Sequence, residues 1–357
     1  MLQASMLLIM AIGLDNHVTV IPLLLNTAQK DSWMSVILVA PLCILWTLLP
    51  YSIIRKTEQT NIMTWLRSHN YNLLPPVIAL VVFPFFFINA FITLKEVIVW
   101  TEVSYLPQTP MLATTLTLLA LCVYSALKGI RSIAIIAGLL LPFVWLLGYF
   151  VMAANFQVKR YDLLFPVFRT AGFSGIASCM LYAASSFVEV FIIIFMQHSI
   201  RDKIRWYHLM ILVFLLAGLT VGPLTGAIAA FGYEAVLIRY PTFEQWKLVR
   251  IGDYVSHVDF LSIYQWLSGA FVRISLMLYM TAELFKKGKD TKSVRAVPIL
   301  LLAGALLVLA CLPAINDFDY LKLAKWYYMG SFIIIITVST VLFAIIMWIN
   351  RKKGANI

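Results

Sequence analysis

Gly13-Leu14-Asp15-Asn16-His17-Val18-Thr19-Val20-Ile21-Pro22 sets a polar patch inside an apolar opening segment that runs from about Ala4 to Leu25. Lipid offers no partner for a carboxylate or an open backbone group, so an Asp-Asn-His run at membrane depth must face protein, water or a ligand. Gly13 and Pro22 bracket the patch with the two residues that break helices most readily. The expectation is a discontinuous first helix whose broken middle lines half of a small-molecule site. The plainer alternative is a helix that starts late, near Val18, behind an N-cap at Asp15 or Asn16. Against it stands the run Ser5 to Ile12, which is too apolar to sit in water.

Of the 357 residues, 62% are hydrophobic and only 12% charged, and the mean hydropathy is strongly positive. These values exclude a soluble domain of normal surface polarity and indicate an all-α polytopic membrane protein. The apolar runs have the roughly 20-residue length of a spanning helix and lack the alternation of a membrane barrel. No basic region precedes the first run and no small-residue cleavage pattern follows it, so it reads as a retained span. Cys43, Cys122, Cys179 and Cys311 fall one apiece in different apolar runs, as packed thiols do.

Ten spans are expected, at approximately 4 to 27, 33 to 54, 74 to 104, 110 to 127, 131 to 153, 173 to 197, 206 to 231, 260 to 285, 294 to 313 and 327 to 349. Threading the chain through them puts sixteen basic residues on one side, among them Arg55, Lys56, Arg67, Lys128, Lys286, Lys287, Lys289, Lys292, Arg295 and Arg351. The other side has nine, offset by acids such as Asp31, Asp162, Asp253 and Asp317. The positive-inside rule then puts both termini in the cytoplasm. The net charge of +11 is thereby a topology signal, and no nucleic-acid partner is expected.

Two links carry amphipathic helical patterns. Between spans 2 and 3, Ile62, Trp65 and Leu66 share a face, and between spans 7 and 8 Phe243, Trp246 and Val249 do the same. Equivalent features five spans apart on opposite membrane faces fit two inverted five-helix repeats, although two unrelated surface helices would read alike. Under that symmetry span 6 is the partner of span 1. Its small and polar residues Gly172, Gly175, Ser178, Ala183-Ala184-Ser185-Ser186 and then Glu189 suggest an interruption, or else a plain packing face. Gly218, Gly222 and Gly226 on span 7 read as a close-packing ridge.

Membrane-embedded charges are costly, so they mark function. Those in the spans are Asp15, Lys95, Glu96, Glu102, Glu189, Arg273 and Glu283, with Glu102 and Glu283 close enough to span ends to be interfacial. Arg273 needs a carboxylate, backbone carbonyls or water; its candidate protein partners are Asp15 and Glu189, and a ligand carboxylate is a third. Lys95 is near the outer end of span 3, where it can snorkel. Glu189 can pair with Arg273, hold a ligand amine or carry a proton. A broken span 1 would open backbone N–H groups around Val18 to Val20 to a ligand carboxylate. The candidate binding set is Asp15, Asn16, His17, Lys95, Glu96, Ser185, Ser186, Glu189 and Arg273. The scattered His17, His69, His198, His208 and His257 form no catalytic or metal-binding spacing, so neither an enzyme nor a cofactor is expected.

A set of fragments then takes on meaning through order and spacing. They are Gln3, the patch ending in Pro22, Ala28-Gln29-Lys30-Asp31-Ser32-Trp33, Lys95-Glu96 with Leu106-Pro107-Gln108-Thr109-Pro110, Lys128-Gly129-Ile130, Leu164-Phe165-Pro166-Val167 and Glu189-Val190. With them the chain resembles the spore germination permease family, the B subunits of nutrient germinant receptors. That family is similar to the amino acid/polyamine/organocation transporters. The resemblance implies ten helices as two inverted repeats of leucine-transporter type, over about 1 to 155 and 165 to 350, with spans 1 and 6 broken around the ligand. It implies a nutrient sensor of the inner spore membrane, beside an A-type membrane subunit and a C-type lipoprotein. Ligands across the family are amino acids, sugars or nucleosides, and an amino acid is the expectation here.

Carried over by position, the family's basic-acidic pair in span 3 is Lys95 and Glu96, and its span 6 acid is Glu189. Two departures bear on function. Where many members have small residues seven and five positions before the span 1 proline, this chain has Asp15 and His17, and a carboxylate at Asp15 would repel a ligand carboxylate. Span 5 lacks the buried lysine of some proton-coupled relatives, since Lys128 and Arg131 stand at its edge. A proton- or sodium-coupled amino acid permease, or a scaffold with a vestigial pocket, are the other readings.

Overall fold

The computed structural model describes residues 1–250, 252, 258–286, 296–312 and 317–354. The charges at Lys287, Lys289, Lys292, Arg295 and Asp253 that entered the topology reading lie outside them. Among the described residues every regular element is helical. The first leg is α1 (Leu2–Leu8), two π-helical segments (Ile9–Gly13 and Asn16–Val20) and α2 (Ile21–Ala28). Next come α3 (Ser32–Trp46), α4 (Leu48–Lys56), α5 (Ile62–Ser68), α6 (Leu74–Ser104), α7 (Met111–Lys128) and α8 (Ile130–Ala154). The second half holds α9 (Phe173–Phe187), a 3-10 segment (Val188–Ile192), α10 (Ile193–Met196), α11 (Trp206–Phe231), α12 (Pro241–Glu244), α13 (Leu261–Leu284), α14 (Ala296–Ala310) and α15 (Asp317–Gly354).

Among the described residues eight helical stretches are long and apolar enough to cross a membrane. The first, Leu2–Lys56, has 55 residues, which at 1.5 Å per residue would reach about 80 Å if straight. It is turned at Gln29, whose φ of 50° and ψ of −131° end α2, and α2 packs back against α3. A similarly abrupt turn joins α7 to α8 through the single residue Gly129, at φ 90°, where a side chain would be strained. The apolar helix Ala296–Ala310 is shorter than the eight.

Burial sorts these stretches into centre and shell. In the most apolar window of Phe173–Ser199 89% of residues are buried, and in Leu261–Leu284 83%, against 28% for Ile130–Gln157. The two central stretches carry Glu189 and Arg273, so those charges cannot reach lipid. α13 packs on α6, α7 and α8, α9 packs on α2, α3 and α15, and Ile9–Gly13 lies against α13 and α11. The first link forms α5, with Ile62 and Leu66 of the expected face buried and Trp65 half-buried, and the second forms α12 followed by a 3-10 turn (Gln245–Leu248), burying Phe243, Trp246 and Val249.

The packing ridge expected on α11 does not form along its length. A Cβ at Gly218 or Gly222 would meet nothing within 4 Å, while one at Gly226 would meet Gln245 and Lys159. The first two glycines face outward, and only the third lies under the α12 link. Glu283, one residue before the end of α13, is held by protein partners. Its side chain is 10% exposed and lies 3.5 Å from His198 Nε2 and 3.7 Å from Lys286 Nζ, and it accepts from Asn61 Nδ2, which caps α5.

Asp31, fully buried between α2 and α3, clasps the two halves. It accepts the backbone N–H groups of Phe168 (3.0 Å), Thr170 (2.8 Å) and Ala171 (3.1 Å), and the Thr170 hydroxyl at 2.8 Å. The approach to α9 is thus tied to the end of α2, with Cys179 Sγ directed at the Leu24 carbonyl at 3.4 Å alongside. Replacing Asp31 with Ala strands three N–H donors, and thermal unfolding in detergent is expected to show a loss of about 2–3 kcal/mol, with Asp31→Asn in between.

Candidate ligand site

The first leg passes through Gly13 to Pro22 without unwinding, which corrects the expected break. Both flanks of the π segments keep right-handed helical dihedrals, and the Ile21 N–H donates to Asn16 O, five residues back. Span 6 is not broken either; its winding tightens to 3-10 over Val188–Ile192, around Glu189. An unwound segment would strand backbone groups, whereas a change of winding keeps them bonded and still shifts which carbonyls and side chains turn inward. The N–H terminus expected near Val18 to Val20 is therefore replaced by a displaced carbonyl: Ala11 O accepts Arg273 Nη1 at 2.6 Å.

Arg273 binds three groups from two helices. Its Nη1 lies 2.9 Å from Glu189 Oε2, and its Nη2 lies 3.1 Å from Glu189 Oε1 and 3.2 Å from Asp15 Oδ2. The three side chains are 2%, 1% and 7% exposed. Of the two Glu189 contacts the Nη2–Oε1 pair is a hydrogen bond, while Oε2 lies near Nη1 without a hydrogen-bond partner among the described residues. Asn89 Nδ2 donates to Glu189 Oε1 at 3.2 Å and to Tyr327 Oη at 2.8 Å. Asp15 is further held by Thr19 Oγ1 at 3.0 Å, Tyr328 Oη at 3.4 Å and Thr93 Oγ1 at 3.4 Å.

Beside Arg273 and Asp15 is a cavity of about 10 Å³, room for about one water, lined also by Leu14, Val18, Thr19, Thr93, Glu96, Trp266, Gly269 and Ala270. Glu96 accepts from Arg239 Nη2 at 3.0 Å and from Tyr240 Oη at 2.9 Å. Burial pushes the Tyr240 phenol up and Glu96 adds to that, so the hydroxyl stays a donor. Trp266 stacks on Phe243 at 4.9 Å and lies 4.3 Å from Trp100 between ring centroids, so the α12 link roofs the cavity with aromatic rings.

The candidate residues thus separate. Asp15, Glu96 and Arg273 line the cavity, and Glu189 holds Arg273 from behind. Asn16 and Ser186 hydrogen-bond each other, and Asn16 Nδ2 donates to Thr220 at 3.0 Å, which stitches the first leg to span 6 and α11. Ser185 Oγ is buried with no hydrogen-bond partner among the described residues. His17 turns to α11, with Nε2 2.8 Å from Leu219 O. Lys95 points away and donates to Ala310 O at 2.8 Å and to Leu312 O, at the end of α14. Thr19, Thr93, Asn89, Tyr327, Arg239 and Trp266 were not foreseen. A lone Asn89 in an aromatic run was a usable signal, whereas the role of Arg239 depends on how the α12 link folds. No group of three or more His, Cys, Asp or Glu side chains among the described residues is placed to hold a metal.

Comparison with known proteins agrees with the fragments that suggested a family. The model of the spore germination protein (spore permease) family matches residues 1–317. Over 357 residues the chain is 36% identical to spore germination protein XB of Bacillus anthracis, with 98% of each chain covered. The chain belongs to the spore germination permease family and is a membrane protein of spore germination.

Two outcomes follow from the charge cluster and its packing. Arg273→Ala leaves two buried carboxylates uncompensated, and is expected to cost about 3–5 kcal/mol of stability in detergent, with part recovered on adding Glu189→Gln. A Cβ at Gly269 would stand 2.6 Å from Leu14 Cβ and Cδ1, so Gly269→Ala is expected to lower the melting temperature, and Leu14→Ala to recover only part of the loss because alanine keeps the Cβ.

Proposed function

We propose that this member of the spore germination permease family is the nutrient-sensing B subunit of a germinant receptor, binding a small nutrient beside Asp15 and Arg273. The observation that carries the reading is Arg273, held between Asp15 on the first leg and Glu189 on span 6. One side chain registers the relative position of three helices. The cavity next to it is far smaller than a nutrient molecule, so a ligand enters only if α13 and the first leg separate at the Leu14–Gly269 contact. A ligand changes that arrangement through its different affinity for the two states. Partner subunits of the A membrane type and the C lipoprotein type would carry the change onward, in the inner spore membrane with both termini cytoplasmic. The ten-span inverted repeat is part of this reading. The matching α5 and α12 links and the paired changes of winding in spans 1 and 6 support it.

A coupled amino acid permease is the competing reading, favoured by the buried acids. Spores carrying Ala270→Phe, which fills the cavity, are expected to germinate at least about tenfold more slowly with nutrient while keeping normal protein levels; unchanged germination removes the site. Concentrative uptake by the isolated chain in proteoliposomes under a proton or sodium gradient would instead establish the permease.

A further inference from the structure

Resting on that reading of the site, we infer that its ligand is an organic ammonium ion without a carboxylate, of the class of amino-acid amides, with Asp15 as counter-ion and Trp266 as its apolar wall. Charge balance comes first. Counted formally, the three carboxylates Asp15, Glu189 and Glu96 face the two guanidinium groups of Arg273 and Arg239, so the cluster holds one more carboxylate than cations. An entering cation neutralises it, and a zwitterion would bring a second anion against Asp15 and Glu96. The donors point the same way. The two Nη atoms of Arg273 are engaged by Glu189, Asp15 and Ala11 O, Tyr240 is engaged by Glu96, and the backbone in the π segment is bonded within its own helix. Of the guanidinium's donors only Nε is left without a hydrogen-bond partner among the described residues.

The acceptors, by contrast, are underused. Among the described residues Asp15 Oδ1 takes a single long contact, 3.4 Å from Thr93 Oγ1, and Trp266 offers a ring to which a cation is attracted. One polar atom on this wall has no hydrogen-bond partner among the described residues: Nε of Arg273, on a side chain 2% exposed. It is a donor, so the ligand also brings an acceptor. With anions already in excess, a neutral amide carbonyl suits it where a carboxylate does not.

The test is titration of the full chain in nanodiscs near pH 6.5, where the amines are charged. L-Alaninamide and L-leucinamide are compared with L-alanine, L-leucine and propionate, following heat and melting temperature. At least one amide is expected to bind about tenfold or more tighter than its parent amino acid, and Asp15→Asn to reduce that binding about tenfold, while propionate does not bind. Comparison on the unaltered chain decides the class even if Asp15→Asn folds poorly. If an amino acid or propionate binds as tightly as the amides and Ala270→Phe blocks it, the ammonium class is wrong and the site stands. If a probe binds and Ala270→Phe leaves it unchanged, or no probe binds, both the class and the site are wrong.

Discussion

A guanidinium at membrane depth must be answered by anions or carbonyls, and Arg273 collects all of these from the first leg and span 6. That demand explains arrangements which look unrelated at first. The π winding turns Ala11 O inward, the 3-10 winding surrounds Glu189, and the most buried stretches are those that carry the charges. Ordinary α-helices would have satisfied their own backbones and left Arg273 with side-chain partners alone. Its place on α13, behind a glycine that lets Leu14 approach, makes the cluster a point where three helices are indexed to one another.

Around this centre the outer parts act as clamps. Asp31 fixes the end of α2 to the approach of α9, Glu283 gathers α5, His198 and the end of α13, and Lys95 takes the carbonyls at the end of α14. The α12 link places its rings over the cavity and brings Arg239 to Glu96. Any molecule approaching the cavity from that side meets this roof before it meets the charges.

Much of the architecture was legible because lipid restricts the options. Apolar runs bounded by charge, Pro and Gly located α6 and α11, and the need of buried charge for partners named Asp15 and Glu189 for Arg273. What could not be read was the form of the interruption. Gly and Pro signal a departure from α winding, but whether the chain unwinds or widens depends on what lies opposite, here Arg273. The adjacency of Lys95 and Glu96 was equally opaque. Consecutive residues on a helix diverge by about 100°, so one meets the cavity and the other α14. Gly218 and Gly222 misled because spacing reveals a face without revealing whether a neighbour occupies it.

The π segments of the first leg also give residue count a meaning it lacks in an α-helix. Each wide turn takes up about one extra residue, so the facing of Asp15 is set by how many residues precede it as much as by their identity. Deleting one residue between Ile9 and Gly13 would let the leg relax to α winding, still apolar and still spanning, with everything on one side of the deletion rotated by about 100° relative to the other. Substitution can tune this polar patch one side chain at a time, whereas a single insertion or deletion re-aims it as a block.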